Sequence, residues 1–164
     1  MTKIISRKIL AKNSTLKETA QILNTIQELL SSQKLAVLGT QDRGQPWGSL
    51  VAFVSTPDLK HLTFATPRST RKYDYLAKDS RVSMVIDNRE NLARDFHAAM
   101  AVTAIGQAAE IESQEAQALT ELYLDKHPYL KNFLASPSCA LVKIRVKKYS
   151  LVRRFQEVME VYLE

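Results

Sequence analysis

The hydrophobic pattern changes period several times along the chain. From Leu16, apolar residues recur every three or four positions through Ala20, Leu23, Ile26 and Leu30, and Thr15 with Glu18 three residues on makes a capping box. This predicts an amphipathic helix over about residues 15–31. The period then shortens. Residues 35–40 form a short apolar run closed by the turn-forming Gln41-Asp42-Arg43-Gly44, and residues 49–55 (SLVAFVS) are nearly all apolar. Together they predict a hairpin.

A third strand is predicted over 62–66, across Thr56-Pro57-Asp58, and Ser69 or Thr70 is placed to cap a helix running to about residue 78. Residues 81–87 alternate Val82, Met84 and Ile86 with their neighbours and predict a fourth strand. A polar loop over 88–94 leads into a long strand over 101–111. Good helix formers fill 113–126, with Ala116, Leu119, Leu122 and Tyr123 on one face, and His127-Pro128 ends that helix. Residues 139–146 alternate again, and 155–163 read as a last strand, with helix left open there. Many antiparallel strands with short connections favour a mainly β fold with flanking helices, a small closed barrel in which closure removes exposed edges. No linker divides the 164 residues, so one domain is expected, with a barrel over about 35–163.

Composition narrows the class without naming a chemistry. Apolar residues make up 45% of the chain and charged residues 24%, as in folded globular proteins. Cys139 is the only cysteine, so an internal disulfide is excluded, and no Cys/His spacing suggests a metal site. With neither a signal-like leader nor a membrane-length apolar run, the expected location is the cytoplasm. The formal net charge of +6 leaves nucleic acid, anionic lipid or a small anionic ligand as partners.

The charge is distributed unevenly. Arg68, Arg71 and Lys72 crowd the predicted start of a helix, where the macrodipole already favours negative charge. With Thr66, Ser69 and Thr70 they make a hydroxyl-rich cationic turn. That combination binds a phosphate, because charge-assisted donors and free helix N–H groups converge on one anion. The competing reading is a solvated turn whose hydroxyls cap the helix and whose cationic stems cover apolar surface. Neither G-x-x-x-x-G-K-[ST] nor G-x-G-x-x-G occurs.

The succession LAVLGTQDRGQPWGSLVAFV, LTFATPRSTRKYDYLAKDSRVSMVID and MAVTAIGQAAEI resembles the FMN-binding split-barrel family that includes pyridoxamine 5′-phosphate oxidase. The resemblance runs from about Leu35 to Ile111. It implies that Thr66, Ser69, Thr70, Arg71 and Lys72 hold the FMN phosphate, with Ala65 beside it. It further implies that Ser49, Leu50, Val51 and Ala52 give the flavin ring backbone groups and an apolar wall. Arg68 is the weaker candidate, its direction depending on the turn. Family members form homodimers with the flavin between subunits, which here assigns a partner contribution to residues 101–107. The expected function is a flavin-dependent oxidoreductase acting on an unknown small-molecule substrate or electron donor, the alternatives being a non-enzymatic flavin- or haem-binding split-barrel protein and a basic nucleic-acid-binding module.

This chain departs from the oxidase proper. It reads Ala52-Phe53-Val54 where the oxidase carries a lysine, Ala101 where it carries a glutamine, and LVRRFQEVMEVYLE where it carries a substrate-binding R-x-H. Oxidation of pyridoxamine phosphate itself is therefore not expected. A deazaflavin phosphate would suit the same turn, and some split-barrel proteins bind haem, for which His97 and His127 are the candidate axial ligands. Trp47 is either a hairpin residue covering the barrel mouth or a stacking group near the ring edge. Lys143, Arg145 and Lys147, with Lys148, Arg153 and Arg154 after them, suit a solvated strand face better than a nucleic-acid stripe. No residue is assignable as catalytic acid or base, or as a metal ligand.

Overall fold

The computed structural model describes residues 6–7, 16–111, 115–154 and 157–163. In chain order these form β1 (Ser6–Arg7), α1 (Leu16–Ser32), β2 (Leu35–Asp42), β3 (Gln45–Ser55), β4 (His61–Pro67) and α2 (Arg71–Lys78). There follow β5 (Arg81–Asp87), α3 (Asp95–Ala98), β6 (Met100–Glu110), α4 (Ala116–Lys126), a 3₁₀ turn (Pro128–Leu130), α5 (Lys131–Leu134), β7 (Cys139–Arg153) and β8 (Glu157–Tyr162). The predicted cap at Thr15, the first turn of the helix expected at 113, and residues 155–156 lie outside the described residues.

Six strands close on themselves in the order β7-β4-β3-β2-β5-β6, since β6 also pairs with β7. The hairpin expected from the apolar runs at 35–40 and 49–55 is β2 and β3, paired from Leu35↔Ala52 to Asp42↔Gln45. Gly44, at φ 84, and Arg43, at φ 51, make its turn, where left-handed backbone favours glycine. Alternation along the strands sorts the faces. Leu38, Phe53, Leu62, Phe64, Met84, Ile86 and Ile144 fill the barrel, and Ile22, Ile26, Leu29 and Leu30 of α1 join the same cluster. Ala20, expected on the buried face of that helix, is exposed.

Strand β7 is twice as long as its alternation predicts, and the reason is a parity change. Buried positions run Ala140, Val142, Ile144, Val146 and then Tyr149 and Leu151. Against β6 the register passes from Gly106↔Val146 to Ile105↔Lys148, so Lys147 is an extra, bulged residue. Gly106 permits this approach: a Cβ there would lie 2.2 Å from the Arg145 carbonyl oxygen. Beyond the bulge β7 pairs with β8, which settles residues 157–162 as strand, and β8 pairs in turn with β1. Four short elements were not predicted from the sequence: the two-residue β1, the 3₁₀ turn, and α3 and α5, each four residues long.

A second apolar cluster lies outside the barrel. There α4 places Tyr123 against Val54 of β3 and Ala65 of β4. His127 is buried beneath it, with its Nε2 2.7 Å from the Phe53 carbonyl oxygen. Lys126 donates to the Leu30 carbonyl in the last turn of α1 at 2.8 Å and stands 4.1 Å over the Phe53 ring. Among the described residues no helix is long and apolar enough to cross a membrane.

Candidate functional site

The cationic turn sits where β4 leaves the barrel. Thr66 and Pro67 pair with Ala140 and Cys139 of β7, and the Arg68 N–H donates to the Ser138 carbonyl at 2.9 Å. The chain then reverses, with Thr70 N–H donating to Pro67 O at 3.2 Å, and α2 begins at Arg71. Thr70 occupies the N-cap with extended backbone (φ −88, ψ 152), yet it makes no side-chain cap. Its hydroxyl donates instead to the Pro67 carbonyl at 2.9 Å and shares a 2.9 Å contact with the buried Thr66 hydroxyl. The first-turn N–H groups of α2 therefore lack the acceptor that an N-cap usually supplies.

The three cations have different occupations. Arg68 turns away from the helix start. It pairs with the Glu110 carboxylate at the end of β6 and donates to the Pro137 and Cys139 carbonyls at 2.9 and 3.3 Å. Tyr73 donates to the same carboxylate at 2.5 Å, and the Arg68 and Tyr73 hydrogen bonds hold Glu110 below the usual carboxylate range. Arg68 is thus a clamp between the turn, β6 and the segment entering β7. Arg71 lies with its guanidinium 4.2 Å from the centroid of the Trp47 ring. Lys72 is half-buried with neither ion pair nor hydrogen bond to any described residue, and burial pushes its amine below the usual lysine range. An unpartnered, partly desolvated ammonium is costly unless an anion meets it. Ser69 is exposed at the tip of the turn.

Beside the turn the barrel wall is open. Strand β3 pairs with β4 only through Phe53, Val54 and Ser55, so its β4-facing edge from Ser49 to Ala52 has no strand partner. Tyr123 of α4 covers part of the gap, with its hydroxyl 3.4 Å from the Ala52 carbonyl oxygen. Leu50, 66% exposed, and half-buried Ala52 face outward; Val51 faces the barrel core and presents only its backbone. Ala65 is buried in the cluster with Val54 and Tyr123. The structure therefore brings Thr66, Ser69, Thr70, Arg71 and Lys72 into one turn next to the free edge of Ser49, Leu50 and Ala52.

Three features were not read from the sequence. Glu110 and Tyr73 are 37 residues apart and meet only in the fold. The Arg71–Trp47 contact likewise joins separate elements. The third is a cavity of about 710 Å³ at the opposite end of β6, walled by Val85, Leu92, Phe96, Met100 and Val152. It depends on residues 88–99, of which the polar stretch 88–94 predicts only a loop or short turn. Of the haem candidates, His97 is exposed, whereas the buried His127 spends one ring nitrogen on Phe53. In the basic tail, Lys143 pairs with Glu115, Lys148 with Glu160, and Arg153 and Arg154 with Glu157. Arg145 and Lys147 remain as exposed cations there.

A closed antiparallel barrel with flanking helices is the fold that the sequence resemblance anticipated. The pyridoxamine 5′-phosphate oxidase family model matches residues 22–153, and the chain belongs to that family. No curated protein matches. Among solved structures, a haem-binding protein from Mycobacterium smegmatis is 20% identical with a TM-score of 0.73, over 82% of this chain and 55% of its own. A FAD-binding protein from Mesorhizobium loti is 14% identical (TM-score 0.66; 79% and 90% covered). General Stress Protein 26 from Bacillus anthracis is 17% identical (TM-score 0.63; 87% and 99% covered). At these identities the likenesses establish the fold.

Proposed function

We propose that the protein is a homodimeric FMN-binding oxidoreductase. The observation that carries this reading is the uncapped start of α2, where Thr70 turns its hydroxyl back to Pro67 and leaves first-turn helix N–H groups without a cap, in the same turn of helix as the half-buried Lys72, which has no partner among the described residues. A phosphate monoester meets each of these needs at once. It accepts from the N–H groups, neutralises Lys72 and Arg71, and lies at the positive end of the helix dipole. Ser69, exposed at the tip of the turn, adds a neutral donor. Membership of an oxidase family and structural likeness to flavin-binding and haem-binding proteins agree with a bound planar cofactor.

The remaining residues suit the rest of FMN. The free edge of β3 offers backbone groups at Ser49 and Leu50 to a polar ring edge, and the outward side chains of Leu50 and Ala52 offer an apolar wall. When bound, the flavin would supply one- or two-electron transfer that no side chain of this chain provides. The protein's part is to fix the phosphate, orient the ring along β3 and exclude water from one face. The departures at Ala52-Phe53-Val54, at Ala101 and in the tail leave pyridoxamine phosphate without its expected partners, so the substrate is a different small molecule.

The dimer reading rests on the outer face of the barrel. Leu35, Val37, Leu50 and Ile105 are exposed there, and Val37 stands opposite both Leu50 and Val85 across adjacent strands. A second copy on this face would bury a continuous apolar surface that a monomer leaves in water.

The test is the visible absorption spectrum of purified protein after incubation with FMN and gel filtration. A retained two-band flavin spectrum is the expected result. A Soret band would transfer the site to haem, with His97 the first residue to replace. A colourless protein that retains no FMN overturns the reading.

A further inference from the structure

We propose that Trp47 is a positioning residue, which stations Arg71 at the mouth of the turn with its hydrogen-bond donors unspent. This rests on the phosphate reading above and assigns a role that the cationic turn alone does not contain.

Arg68 and Arg71 are three residues apart and behave oppositely. Arg68 spends its donors on Glu110 and two carbonyls. Arg71 makes no hydrogen bond or ion pair to any described residue, yet it is not loose, because its guanidinium rests 4.2 Å above the Trp47 ring. The geometry of that contact matters. A guanidinium stacks through its flat face, while its five N–H donors radiate in the plane, so stacking holds the group without consuming a donor. A carboxylate partner at the same place would have held it equally well and blocked it.

Trp47 is itself held. It stands in β3 opposite Thr40, whose hydroxyl lies 3.5 Å from the Trp47 carbonyl oxygen. Trp47 is 41% exposed, with Arg71 lying over its ring. An arginine at the first position of a helix otherwise samples many rotamers, and ordering it on ligand arrival costs affinity. Trp47 meets that cost in advance.

The experiment measures dissociation constants of FMN and of riboflavin, which lacks the phosphate, for wild type, Trp47→Leu, Trp47→Phe, Arg71→Ala and the Trp47→Leu/Arg71→Ala double variant. Trp47→Leu should weaken FMN about two- to five-fold, the range expected for an exposed cation–π contact, and leave riboflavin unchanged. Trp47→Phe, which keeps a π face, should recover part of the loss. In the Arg71→Ala background Trp47→Leu should have no further effect, since the residue acts through Arg71. Equal losses for both flavins, or the same loss with and without Arg71, would make Trp47 a structural or ring-contacting residue and overturn the inference. Wild type that binds FMN no better than riboflavin would instead overturn the phosphate reading on which the inference stands.

Discussion

At the residue scale the site is defined by what its side chains leave undone. Lys72 is the sharpest case, because a half-buried amine without a partner lowers stability until an anion arrives. Replacing it with methionine should weaken FMN by about 10- to 100-fold, the equivalent of one charge-assisted hydrogen bond of roughly 1.5–3 kcal/mol, measured by titration. The unliganded protein should lose no stability, which a melting curve checks. A bound phosphate raises the Lys72 pKa back toward its ordinary value, so binding takes up a proton at alkaline pH and FMN affinity should fall there as pH rises. That alkaline fall should vanish in Lys72→Met. Lys126 gives a separate pH signature. Burial lowers its pKa to about 8 from an ordinary value of 10.5, so between those values the unfolded chain holds a proton that the folded chain has released. Stability from this group therefore rises with pH across that window and is flat below it. Lys126→Met should remove this rise in denaturant-unfolding free energies taken from pH 7 to 10.5. The residue scale is also where the sequence was least legible. The composition of the turn was plain, but which cation was spent was not, because Glu110, Pro137 and Trp47 approach from parts of the chain distant from the turn.

At the element scale the strands were legible wherever alternation kept its parity. β5 matches the reading at 81–87, and the hairpin was placed correctly though both strands run further into the turn. β7 shows the limit. Its apolar positions move from even to odd numbers across Lys147 and Lys148, and a period-2 reading must stop there. Only pairing with β6 reveals that the strand continues. Helices α3 and α5 are a single turn each, too short for a 3.6-residue pattern to register. The bulge makes a further test possible. A Cβ on Gly106 would stand 2.2 Å from the Arg145 backbone oxygen and 2.9 Å from Ile144 Cγ2, so the strands themselves must separate. A Cβ on Gly39 would meet mainly the Ser83 hydroxyl at 2.4 Å, which can rotate away. Gly106→Ala should therefore cost on the order of 1–3 kcal/mol, and Gly39→Ala clearly less, in paired denaturant titrations. Equal costs would mean that β6 and β7 have more slack at the bulge than their register implies.

At the scale of the whole molecule, the barrel's outer face and the free edge of β3 proposed for the cofactor are one problem. Leu50 belongs to both, since it is 66% exposed, lies on the free edge of β3 and stands opposite Val37 in the apolar row that crosses to Val85. A flavin lying along that edge in a monomer would keep one flank in water, and the row beyond it would stay exposed. A second copy seated on the same face would cover both, so dimerisation and cofactor retention should fail together. Val37→Asp tests this without touching a residue assigned to the flavin. Its side chain points outward and is 37% exposed, so an isolated chain should tolerate the charge, whereas a dimer face would have to bury it unpaired. Sedimentation should show wild type as a dimer and Val37→Asp as a monomer with an unchanged circular dichroism spectrum. The variant should retain less FMN after gel filtration than wild type. A Val37→Asp protein that becomes monomeric yet keeps FMN fully would separate the two roles and assign the whole cofactor site to one chain. A variant that stays dimeric would move the interface off this face.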